Sequence, residues 1–134
     1  WIAFLDDDDE WVPEKMERCF LAARKWDYHR LVSTNAYNRS PDGTVTGYHH
    51  GRQGRRLAEV VFDVTEVIRN ANPIINSTAV IGLDVAREIG LQRETGYGED
   101  WDYWMRAARL TPALFLDEPL AYYTTGNPKH YGLH

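Results

Sequence analysis

A chain of 134 residues is one domain's worth, and 43% hydrophobic with 13% aromatic residues can build a core, which excludes a disordered tail. The net charge of −5 argues against non-specific nucleic-acid binding, which needs a basic footprint. Cys19 is the single cysteine, which excludes an internal disulfide framework and fits a reducing compartment; no apolar run approaches the roughly 20 residues of a membrane span, and no signal peptide is read.

The chain opens on Trp1-Ile2-Ala3-Phe4-Leu5-Asp6-Asp7-Asp8-Asp9-Glu10-Trp11. An apolar, strand-like run drives into four aspartates and a glutamate. Adjacent carboxylates repel, so a strand end carrying them is destabilised unless something cationic sits there. The run fits a buried central strand of a parallel sheet, and ligands in such sheets bind beyond the carboxyl ends of strands. A divalent cation is the simplest resident, since Mg²⁺ and Mn²⁺ take carboxylate oxygens. The competing reading is a solvated acidic turn. A central strand at residue 1 also creates the expectation that a preceding part is absent.

Pro13 suits the first turn of a helix, and Met16, Cys19, Phe20, Ala23 and Trp26 follow at helical spacing, which predicts a surface helix ending near residue 27. Residues 31–37 read as a strand, Ser40-Pro41-Asp42-Gly43 as a turn and 44–49 as the returning strand, together a hairpin. His49 and His50 lead into Gly51-Arg52-Gln53-Gly54-Arg55-Arg56, a basic loop read as solvated before it is read as a phosphate contact. Residues 57–62 are open between strand and helix. Asp63 or Thr65 caps a short helix through Ala71, which Asn72-Pro73 ends. Residues 74–82 are β-branched and read as a strand, and Asp84 then caps a helix over 85–89 that stops at Gly90.

The second informative stretch is Gly96-Tyr97-Gly98-Glu99-Asp100-Trp101-Asp102-Tyr103-Trp104-Met105-Arg106. A glycine-bearing loop hands over to a helix with acids in its first turn. Trp101, Trp104, Met105 and Ala108 share one face, which is core, and Asp102 and Arg106 are spaced for an ion pair. Acids at a helix N-terminus suit the macrodipole; a carboxylate held rigidly there can also serve as a general base. Two short strands, 113–116 and 120–124, are expected around Asp117-Glu118-Pro119. The polar tail carries His130 and His134 four apart, where a mobile end outweighs a metal site. Five Trp and eight Tyr are many for this length; planar side chains build cores and also line sugar-binding sites.

The two acid stretches together carry a resemblance. Phe4-Leu5-Asp6-Asp7-Asp8-Asp9-Glu10-Trp11-Val12-Pro13-Glu14-Lys15, followed much later by Gly98-Glu99-Asp100-Trp101-Asp102-Tyr103-Trp104-Met105-Arg106, resembles the family 2 glycosyltransferases of the GT-A fold. Ile75-Asn76-Ser77-Thr78 and Glu118-Pro119-Leu120-Ala121-Tyr122-Tyr123 are weaker matches, so the likeness spans nearly the whole chain as a single domain, 1–134.

The resemblance implies an α/β fold, a truncated GT-A domain with a mixed sheet flanked by helices and its N-terminal nucleotide-binding half missing. It implies that Asp6 and Asp8 hold a divalent metal (Mn²⁺ or Mg²⁺) and the donor, with Asp9 assisting. It implies that Asp100 is the general base, that Glu99 supports it at the acceptor, and that Trp101 or Tyr97 stacks on the acceptor sugar. The implied reaction moves a sugar, with inversion, from a nucleotide-diphospho-sugar to a sugar or glycolipid acceptor in polysaccharide or glycoconjugate assembly, in the cytoplasm at the inner face of the membrane. Lacking the base-binding half, the chain alone is expected to transfer no sugar and to self-associate through its cut sheet edge. Two rivals come from other classes. A haloacid-dehalogenase-type phosphatase also puts Asp-x-Asp at a strand end, but it wants Thr or Val and then Gly where Glu10 and Trp11 stand. A non-catalytic metal-binding or interaction module leaves Glu99-Asp100 unexplained.

Overall fold

The computed structural model describes residues 1–26, 28–50, 61–94, 96 and 98–126. The basic loop at 51–56, most of the 57–62 run, Tyr97, and the tail with His130 and His134 lie outside the described residues.

Two long strands form the spine. β3 (Leu31–Arg39) and β7 (Ala113–Thr124) run parallel, paired from Leu31 with Ala113 to Arg39 with Thr124. Each changes its outer neighbour halfway along. β3 pairs first with β6 (Val80–Ile81) and then with β4 (Val45–Tyr48). β7 pairs first with β5 (Val61–Asp63) and then with β2 (Glu10–Trp11). The change falls where the β3–β7 register slips, between Thr34 and Tyr37. A bulge bends a strand and increases its twist, so the result is a curled mixed sheet. β1 (Ile2–Ala3) pairs antiparallel with β6 and completes the order β1-β6-β3-β7-β2.

The opening run is therefore not a central parallel strand. It supplies two residues to the edge of the described sheet, antiparallel, with Trp1 41% and Ile2 36% exposed. Its anchor is Phe4, whose ring meets Trp104 edge-on at 5.3 Å and Tyr103 at 5.9 Å. The two strands expected around Pro119 are one strand. Proline lacks an N–H and is tolerated where a ladder is already broken, and Pro119 pairs with Asn35 at the register slip. The expected strand over 74–82 is mostly a 3-10 turn, Asn76–Thr78, with only β6 left as strand.

Among the described residues four α-helices accompany the sheet: α1 (Lys15–Lys25), α2 (Thr65–Ile68), α3 (Leu83–Ile89) and α4 (Glu99–Ala108). α1 buries Cys19, Ala22 and Ala23 against Val32, Leu114, Leu116 and Leu120, and buries Lys15 beside Trp11 and Met16. The face is rotated from the one expected, leaving Phe20 and Trp26 each 40% exposed, because the small side chains let the helix lie close to the sheet. α4 buries Tyr103, Trp104 and Ala107, with Trp101, Met105 and Ala108 at the margin, in a cluster with Leu31, Ile68, Ala79 and Ala113. The expected Asp102–Arg106 pair forms at 3.1 Å. Asp63 accepts from the Thr65 amide and hydroxyl at the start of α2, as expected of a capping residue. Asp84, expected to cap α3, lies inside it, with Gly82 at the N-cap position, and its side chain pairs with Arg30 at 2.7 Å. Among the described residues no helix is long and apolar enough to cross a membrane.

Candidate functional site

Between β1 and β2 the chain makes a tight turn, with the Asp9 amide donating to the Asp6 carbonyl at 3.2 Å and Asp7 and Asp8 at the corner. The turn is seated on the carboxyl ends of the parallel pair. The Thr124 amide donates to Asp9 Oδ1 at 2.9 Å, and the Thr124 hydroxyl donates to the Asp8 carbonyl at 2.6 Å. Arg39, the last residue of β3, donates to Glu10 Oε2 at 2.8 Å and to the Asp8 carbonyl at 3.4 Å. Ligands of α/β sheets bind at this end of the strands. Ser77 holds the turn from the other side, its Oγ accepting from the Asp6 amide at 2.9 Å and donating to Asp9 Oδ2 at 2.6 Å.

The cation that a run of acids requires is thus partly internal: Arg39 stands against Glu10, and hydroxyl and amide donors meet Asp9. Burial pushes the Asp9 carboxyl up, with Asp8 and Asp6 adding to the rise, against the Ser77 and Thr124 hydrogen bonds that pull it down. Between its ordinary and its raised value the folded chain holds more protons than the unfolded one, so this group's contribution to stability falls as pH rises through that window. Asp9→Asn keeps the shape and removes the titration. Its stability relative to the parent chain is expected to grow as pH rises through the window, measured by urea unfolding at a series of pH values. A parallel pair of stability curves would contradict that.

Asp6 and Asp8 stand two apart on this turn. Among the described residues no three His, Cys, Asp or Glu side chains form a cage for a metal ion. One or two carboxylates on a short turn are the donor set of a Mg²⁺-like cation that completes its shell with waters and phosphate oxygens. A metal at Asp6 and Asp8 would have to bring most of its ligands with it, as one that arrives with a phosphate does.

The second acid pair sits where α4 begins. Gly98 precedes the helix at φ +71°, a left-handed backbone that favours glycine. Glu99 is exposed, and its Oε1 accepts from the Gly96 amide at 3.2 Å. Asp100 is half-buried; Oδ1 accepts from the Trp101 amide at 2.9 Å and Oδ2 from Asn72 Nδ2 at 3.2 Å. Both contacts fix the carboxylate while leaving lone pairs on each oxygen. Trp101 is half-buried, and its indole N–H donates to the Ile68 carbonyl at 2.7 Å, so only the outer part of the ring is left to meet a ligand.

One short segment joins the two acid pairs. Asn72 holds Asp100, and Asn76, four residues on, donates from Nδ2 to Asp6 Oδ1 at 3.0 Å. Four residues reach at most about 14 Å between Cα atoms, so the two motifs border one region. Gln92 closes the gap, donating to Asn76 Oδ1 at 3.3 Å while lining a cleft of about 670 Å³ with Arg93, Glu94, Gly96 and Glu99. Phe4 against Trp104 ties the same two stretches through the core. The sequence marks Asn72 only as a helix stop and Ser77 as part of a strand and of one of the weaker family matches, and carries no signal for Arg39, Thr124 and Gln92. No protein-family model matches the chain, and no curated protein is significantly similar to it.

Proposed function

We propose that the chain carries the metal side and the acceptor side of a GT-A glycosyltransferase, which moves a sugar with inversion from a nucleotide-diphospho-sugar to an acceptor hydroxyl. The observation that carries this reading is the 72–76 segment, which holds Asp6 at one end and Asp100 at the other. A phosphatase needs only the first acid pair, and a metal-binding module needs no second one.

Asp6 and Asp8, at the carboxyl ends of β3 and β7, would hold the divalent metal and the donor diphosphate. When bound, that metal neutralises charge on the departing nucleoside diphosphate. Asp9 holds the turn in shape. On the other side of the 72–76 segment, Glu99 accepts a hydrogen bond from an acceptor hydroxyl in the cleft. Asp100 takes the proton of the attacking hydroxyl as its oxygen bonds to the anomeric carbon. The bond from that carbon to the diphosphate oxygen breaks, and its electron pair leaves with the diphosphate. Asn72 fixes the Asp100 carboxylate for that transfer, which is the orientation part of the catalysis.

Nuclear magnetic resonance titration with mono- and oligosaccharides tests the acceptor side. Shifts are expected over residues 92–101, and Glu99→Ala is expected to weaken binding by about tenfold or more, the worth of a charge-assisted hydrogen bond. Saccharides that leave those residues unperturbed, together with aryl-phosphate hydrolysis that depends on Asp6, would replace this reading with the phosphatase one.

A further inference from the structure

Ser77 touches the acid turn at two points and the strand that leaves it at a third. It is fully buried in the 3-10 turn. Its Oγ serves Asp6 and Asp9, the two ends of the turn, and its carbonyl accepts from the Trp11 indole N–H at 2.7 Å, on the strand that leaves the turn. Behind Trp11 stands Lys15, also fully buried, with Nζ 4.7 Å from the indole centroid and 3.9 Å from Met16 Sδ. A desolvated ammonium over an indole face is a strong cation–π contact, and it fixes the plane of the ring. The neighbouring Asn76 orients the Asp6 carboxylate, so one turn of chain controls both the backbone and the side chain of Asp6.

We propose that Ser77 is the positioning residue of the acid turn, setting where the Asp6 and Asp8 carboxylates stand, with Trp11 and Lys15 bracing it from behind. The part of this that concerns metal rests on the glycosyltransferase reading; the part that concerns the turn does not. Groups that orient metal ligands typically change affinity by about 10- to 100-fold when removed. Ser77→Ala takes away the acceptor for the Asp6 amide and a donor to Asp9 in one step. Trp11→Phe keeps an aromatic ring over Lys15 and removes only the bond to the Ser77 carbonyl.

The test has two readouts on the same proteins: amide hydrogen exchange at Asp6, and Mn²⁺ affinity by electron paramagnetic resonance. Ser77→Ala is expected to speed exchange at Asp6 while the β3 and β7 amides keep their protection, and to weaken Mn²⁺ binding by about 10- to 100-fold. Trp11→Phe moves both in the same direction by less, and Ser77→Thr, which keeps the hydroxyl, restores Mn²⁺ affinity. Unchanged Asp6 exchange and unchanged Mn²⁺ affinity in Ser77→Ala would overturn the proposal and leave the functional reading intact. Faster Asp6 exchange in Ser77→Ala, in a chain whose parent takes up no Mn²⁺, supports the positioning of the turn and overturns its reading as a metal site.

Discussion

Replacing Asp6 and Asp8 together by asparagine is expected to abolish Mn²⁺-dependent binding of inorganic pyrophosphate, a loss of at least about 100-fold in affinity when two charged ligand contacts go. Pyrophosphate is the useful probe because it carries the diphosphate without a nucleoside. Asparagine is close in shape to aspartate, so the turn hydrogen bonds made by backbone and by Ser77 remain. What disappears is two negative charges, and hard cations bind through charge and oxygen donors. Asp9→Asn is the contrast. Both Asp9 oxygens are already engaged, by Ser77 and by Thr124, so its neutralisation should leave most of the affinity. Calorimetric titration of pyrophosphate with and without Mn²⁺ separates the two. Equal losses in both variants would mean that the acids act only as a diffuse negative patch.

Trp104→Ala is expected to cost about 3–5 kcal/mol, a large share of a domain stability of order 5–15 kcal/mol. Trp104 is fully buried and carries the contact with Phe4, so its loss empties the centre of the α4 packing and releases the strand that leads into the acid turn. Its indole N–H has no hydrogen-bond partner among the described residues. A buried donor left unsatisfied costs about 1–3 kcal/mol. Trp104→Phe removes that donor while keeping an aromatic ring, so it should stay within about 1 kcal/mol of the parent chain, the cavity and the relieved donor offsetting each other. Chemical denaturation of the two variants checks both numbers. A phenylalanine variant as damaged as the alanine one would show that the indole N–H is satisfied.

The hairpin of β3 and β4 and the start of α4 were legible in the sequence, because their signals are local, whereas the buried face of α4 centres on Tyr103, Trp104 and Ala107 and leaves Trp101, Met105 and Ala108, expected as core, at the margin. Pro41 and Gly43 set the turn, with Gly43 at φ +93°, and glycine followed by acids marks the start of α4. The rest depended on partners far along the chain. The β-branched run at 74–82 reads as strand by propensity, yet it gives up its ladder for a 3-10 turn whose polar groups meet residues about 70 positions away. Pro119 marks a strand break by rule, but the register slip against Asn35 accommodates it. The rotated face of α1 also buries Lys15, a residue that charge alone assigns to the surface and that stands beside Trp11 and Met16. For the site, the carboxylates were visible and their holders were not. Aspartates in a row announce themselves, whereas Ser77, Thr124, Asn72 and Arg39 are ordinary residues until the fold brings them to the turn and to α4.

The proposed function requires that the acid turn and the start of α4 serve one reaction. Mn²⁺-induced relaxation of the protons of a bound acceptor saccharide tests it most directly, since a paramagnetic ion on Asp6 and Asp8 relaxes nuclei held near it. Strong broadening of saccharide signals is expected in the parent chain and none in the Asp6→Asn, Asp8→Asn double variant. Saccharide bound at Glu99 with no Mn²⁺ effect, or broadening that survives in the double variant, would contradict it.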